Sequence, residues 1–152
     1  MSHNDDFAPA HDSGDASAAA SPALHPWRRF IALGDSFTEG VGDPEPSLPG
    51  GNRGWADRVA EVLSQGVPDF AYANLAVRGK LIEQIIAEQL DAAVALKPDL
   101  VTISAGGNDV IRPGTDPDAI ARRFDYVISR LGATGATVVV FTGVDVGFSP
   151  VF

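Results

Sequence analysis

With 152 residues, 45% of them hydrophobic and 20% charged, the chain has room for one globular domain with a real core. Twenty Asp and Glu against 11 Lys and Arg give a formal charge of -9 with no clustered basic patch, which argues against a nucleic-acid partner. Cysteine is absent, so disulfides, thiolate metal sites and a cysteine nucleophile are excluded together.

Residues 1–26 carry Asp5, Asp6, Asp12 and Asp15 among Ala, Ser and Pro, without a run of large apolar side chains, and read as a disordered acidic tail. A secretory signal starts basic and continues through about 7 to 15 apolar residues, and this segment has neither feature. No window approaches the roughly 20 apolar residues of a membrane span. The expected location is therefore the cytoplasm, with a single domain over residues 27–152.

From Trp27 onward, short apolar runs alternate with stretches of helical period, the pattern of βαβ units around a parallel sheet. The first strand is expected at Phe30–Leu33, followed directly by Gly34, Asp35 and Ser36. Val41–Arg53, with three Pro and three Gly, reads as an irregular surface loop, which either shapes access to a site or is a tolerated insertion. Trp55, Val59, Val62 and Leu63 then recur at helical spacing, and Gly66 ends the run. A second strand at Phe70–Leu75 leads into the polar stretch Asn74–Gly79. Leu81, Ile82, Ile85, Ile86, Leu90 and Val94 form one apolar stripe on a helix that must end near Lys97, because Pro98 disfavours helical geometry before it.

The third strand, Leu100–Ser104, is followed by Gly106, Gly107, Asn108 and Asp109. Asp116 can cap the next helix with Pro117 in its first turn, and Ile120, Phe124, Val127, Ile128 and Leu131 share its apolar face up to Gly132. Thr137–Phe141 is the fourth strand, and like the third it reads as buried on both faces. The chain ends some eleven residues later, without a fifth strand, so the fourth is expected to present an unpaired apolar edge.

All three polar clusters follow strands, and in a parallel sheet all strand carboxyl ends lie along one edge, where open α/β sheets bind ligands. Serine needs a base to take its proton, and acyl transfer needs donors aimed at the developing oxyanion. Ser36 offers a hydroxyl at a tight turn, Gly79 a backbone N–H that can be closely approached, and Asn108 a side-chain amide. Each has a plainer reading: Gly34 and Ser36 as an ordinary turn, Gly79 as a helix-entry glycine, Asn108 or Asp109 as caps, and Asp35, Glu39 and Asp43 as a solvated acidic loop. The Gly-x-Ser-x-Gly elbow fails because Thr38 stands at its second glycine, and a Walker loop fails because Leu81 follows Gly79-Lys80. A looser phosphate loop at residues 34–40 would set Asp35 and Glu39 against an anion.

Taken in order, Gly34-Asp35-Ser36-Phe37-Thr38-Glu39-Gly40, Asn74-Leu75-Ala76-Val77-Arg78-Gly79 and Gly106-Gly107-Asn108-Asp109 resemble the first three signature blocks of the SGNH/GDSL hydrolases. The resemblance spans residues 29–145. It implies a flavodoxin-like α/β/α sandwich of sheet order 2-1-3-4-5, acting on small carboxylic or thioester substrates without a cofactor. Ser36 would be the nucleophile, with the Ser36 and Gly79 backbone amides and the Asn108 side chain forming the oxyanion hole.

The family's fourth block, an Asp-x-x-His after the fifth strand, has no counterpart here, and His3, His11 and His25 all precede the first strand. The chain is expected to be truncated before that block, with its last strand and helix missing and its activity impaired. A non-catalytic module binding a small ligand or a protein, and a flavodoxin-like nucleotide or phosphate binder, are the alternative readings.

Overall fold

The computed structural model describes residues 25–143. Of the expected tail, only His25 and Pro26 fall inside that range; the remainder, like residues 144–152, lies outside the described residues. The described chain forms β1 (Arg29–Gly34), α1 (Ser36–Glu39), α2 (Trp55–Ser64), β2 (Ala71–Asn74), α3 (Ile82–Ile85), a π-helical turn (Ile86–Leu90) and α4 (Asp91–Ala95). It continues through β3 (Leu100–Ser104), α5 (Gly107–Val110), α6 (Pro117–Gly132) and β4 (Thr137–Val140).

The four strands pair in the order β2-β1-β3-β4, and every pairing is parallel. β1 is buried from Phe30 to Gly34 because both its faces are covered. On one face Ile31, Leu33, Val101 and Ile103 pack with Ile85, Leu90 and Ala93 and with Val127 and Leu131 of α6. On the other, Phe30, Ala32 and Leu100 pack with Ala56 and Ala60 of α2. Each wholly buried Ile or Leu on these faces contributes about 1.5 to 3 kcal/mol of transfer free energy. The result is the α/β/α sandwich that the alternation of apolar runs implies.

Local signals account for the element ends. Asp116 accepts from Asp118 N–H at 2.9 Å and Pro117 occupies the first turn of α6. Gly54 N–H donates to Asp57 at 2.8 Å, which closes the first turn of α2. The helix before Pro98 ends at Ala95, and Lys97 takes a left-handed φ of 52° on the way out.

Two expectations need correction. The single helix over residues 81–97 is interrupted by the π turn. β4 is not buried on both faces: Thr137 and Val139 are exposed while Val138 and Val140 are half-buried. Val138 and Val140 pack under α6, but among the described residues no helix covers the Val139 side, because α2 lies over β1 and the start of β3. An apolar run identifies a strand, and it does not say which faces will be covered.

Candidate active site

The three polar clusters meet at the carboxyl edge of the sheet and are tied to one another. β1 delivers the chain to Asp35, whose side chain accepts from Phe37 N–H at 3.2 Å and so caps the short helix that begins with Ser36. Gly34 is required there: a Cβ would lie 2.6 Å from Ser104 O and 2.7 Å from Thr38 Oγ1. Gly40 ends the helix at φ 86°, against the backbone of Gly54.

Hydrogen bonds from Asn74, Val77 and Arg78 hold the second cluster to this turn. Asn74 Nδ2 donates to Thr38 O at 2.8 Å and Val77 N–H to Gly34 O at 3.3 Å. Arg78 donates from its backbone N–H to Glu39 Oε2 at 2.6 Å and from its guanidinium to Glu39 Oε1 at 2.8 Å. The guanidinium holds the Glu39 carboxyl below its usual range. Gly79 follows at φ 76°, in the left-handed region that favours glycine, and is exposed.

Asn108 joins the third cluster to both others. Its Nδ2 donates to Asp35 Oδ2 at 3.2 Å and to Lys80 O at 3.0 Å, so both amide hydrogens are engaged. Asp109 caps not its own helix but α3, accepting from Ile82 N–H at 3.0 Å. The Asp35, Glu39 and Asp43 of the acidic-loop reading are likewise engaged: Asp35 is buried, Glu39 pairs with Arg78, and Asp43 pairs with Arg58. Desolvation raises the Asp35 pKa most; the Phe37 N–H bond opposes this, and the nearby Asp109 charge adds to the rise.

Ser36, Gly79 and Asn108 therefore belong to one bonded cluster of loops. Neither the Ser36 nor the Gly79 backbone N–H donates a hydrogen bond among the described residues. On the β3 and β4 side a cavity of about 340 Å³ opens beside Asp35 and Phe37, with Ser104, Gly107 and Phe141 in its wall. Phe37 and Phe141 pack with Trp55 in a group of three rings. On the β2 side Leu48, Pro49, Gly50 and Asn52 of the irregular loop border a second cavity of about 400 Å³, next to Glu39 and Asn74.

No histidine stands at this edge of the sheet among the described residues. His25, the one histidine described, precedes β1, so it lies at the opposite end of a strand whose six residues rise about 20 Å. There its Nε2 bonds to Leu63 O at 2.8 Å and its ring stacks on Trp27. His3 and His11 lie outside the described residues.

Comparison with known proteins decides the family. The model of the GDSL-like lipase/acylhydrolase family matches residues 32–151. The chain belongs to this family.

The GDSL-like fold recurs in solved structures. TesA superposes with a TM-score of 0.65 at 25% identity, over 80% of this chain and 64% of that one. A catalytic mutant of Axe2, an acetylxylan esterase from Geobacillus stearothermophilus, gives 0.59 at 20% identity, over 74% and 58%. The psychrotrophic esterase EstA from Pseudoalteromonas sp., inhibited by monoethylphosphonate, gives the same TM-score, identity and coverage. This GDSL-like chain therefore spans about three fifths of the length of each. No curated protein sequence matches it at a significant level. None of its described helices is long and apolar enough to cross a membrane.

Proposed function

We propose that the chain carries the nucleophile and oxyanion half of a serine ester hydrolase site. Ser36 Oγ attacks the acyl carbon of a small carboxylic ester, its proton passes to a base, and the carbonyl oxygen becomes an oxyanion. The Ser36 and Gly79 backbone amides and the Asn108 side chain hold that charge until the alcohol leaves. Water then releases the acid from the acyl-serine. The observation that carries this reading is Asn108, whose amide binds the nucleophile turn through Asp35 and the Gly79 loop through Lys80. Serving the oxyanion requires Asn108 to share or release one of those two acceptors.

With no histidine at this edge among the described residues, these would rely on the oxyanion donors and on binding, which in serine proteases leave roughly 10³ to 10⁴-fold over water. Added imidazole can stand in for the base. Hydrolysis of p-nitrophenyl acetate by the chain in imidazole should exceed the imidazole-only rate, and Ser36→Ala should remove the excess. An unchanged excess in Ser36→Ala would show that another group does the chemistry.

A further inference from the structure

Gln89 lies where a helical core stripe calls for an apolar side chain. It is four residues after Ile85 and four before Ala93, both wholly buried, and only 3% of its own surface is exposed. Leu90, its neighbour in sequence, is buried as well, and the wider π turn presents the pair to the sheet together. A buried amide is stable only when its donor and acceptor both find partners. Gln89 finds both on one residue: Oε1 accepts from Gly34 N–H at 2.9 Å, and Nε2 donates to Gly34 O at 2.9 Å.

The sheet explains why Gly34 needs this partner. Backbone groups along β1 alternate between its two neighbouring strands. Leu75 N–H donates to Ala32 O on the β2 side, but β2 has already ended at Asn74. Two residues beyond Ala32, the N–H and C=O of Gly34 turn to that same side. There the Gln89 amide takes the place of the departed strand, and Val77 N–H adds a longer bond of 3.3 Å to Gly34 O. Ser104 O and Thr38 close off the position where a Gly34 side chain would project.

We propose that Gln89 is a positioning residue for the nucleophile, its side-chain amide acting as a substitute strand that fixes the end of β1 from which Ser36 starts. The proposal rests on the reading of Ser36 as nucleophile. Gln89 touches no reacting atom; it acts through Gly34 on the Asp35 cap and the Ser36 turn that follow.

The test pairs Gln89→Leu with Gln89→Glu in the 152-residue chain. Amide exchange at Gly34 and backbone shifts at residues 34–36 are followed by NMR, alongside the Ser36-dependent, imidazole-assisted esterase rate. Gln89→Leu should speed exchange at Gly34 more than at Val101, and lower kcat by about 10- to 100-fold with KM nearly unchanged.

Gln89→Glu supplies the conservative rescue. When protonated, the introduced carboxyl can donate to Gly34 O and accept from Gly34 N–H as the amide does. Burial against a carbonyl raises its folded pKa, so wild-type behaviour is present at acidic pH and lost as pH rises through that raised value. The neighbouring Asp35 titrates in both proteins, so each pH is compared with wild type at the same pH.

A folded Gln89→Leu protein with wild-type Gly34 exchange and shifts overturns the proposal. If that variant does not fold, Gln89→Glu decides, and Gly34 exchange that does not diverge from wild type with rising pH overturns it equally. Exchange behaving as expected while Ser36→Ala keeps its rate leaves the Gly34 clamp standing and withdraws the nucleophile role alone.

Discussion

Asp35 is the one buried carboxylate among the described residues, and it holds two parts of the site at once. One oxygen caps the Ser36 helix and the other receives the Asn108 amide. Desolvation raises its folded pKa, so the neutral form is favoured by folding. The stability this group contributes is therefore fully present below the ordinary aspartate range and lost as pH rises through the raised value. Wild type should lose stability relative to Asp35→Asn as pH is raised above about 4. Urea midpoints of the two proteins measured across pH 4 to 7 check this, and a difference that grows in favour of wild type would refute it.

The identity of Ser36, Gly79 and Asn108 as candidates was legible because each follows a strand and carries a side chain or backbone suited to acyl transfer. What Asp35 and Asp109 do was not. An acidic residue in a loop looks solvated until its partner is known, and the partners of these two come from chain segments 73 and 27 residues away.

At the scale of elements, the end of β1 is a closely packed position. An added Cβ on Gly34 would sit 2.6 Å from Ser104 O, whereas one on Gly107 would meet nothing within 4 Å. Gly34→Ala should therefore cost about 1 to 3 kcal/mol, the range for overpacking a closed site, with Gly107→Ala as the near-neutral control. Denaturant unfolding of both variants measures the contrast, and equal losses would mean that the backbone at Gly34 yields. Strands were easy to find, since runs such as Leu100–Ser104 and Thr137–Val140 are apolar, β-branched and bounded by turn residues. The π turn was hidden, because the stripe from Leu81 to Val94 fits an uninterrupted helix almost as well.

For the whole molecule, the two faces of the sheet are unequally covered. The face of Ile31 and Val101 carries α3, the π turn, α4 and α6, while the face of Phe30 and Ala32 carries α2. Val139, 42% exposed, and Phe141, 36% exposed, form an apolar margin along β4, whose outer edge has no strand partner among the described residues. Such margins favour edge-to-edge association. Val139→Lys should shift the sedimentation of concentrated protein toward monomer while leaving the melting temperature nearly unchanged. Association that persists undiminished would locate the contact elsewhere.

Sequence alone determined that this is a parallel α/β chain with its polar clusters on one sheet edge, because strand alternation, turn residues and caps act over a few neighbours. Tertiary structure decided which polar groups would be taken out of water and what would satisfy them. Gln89 and Asp35 are ordinary polar residues until the sheet brings Gly34 and Asn108, 55 and 73 residues away, within hydrogen-bond reach. Burial and pairing at that separation are properties of the assembled layers, and no local pattern encodes them.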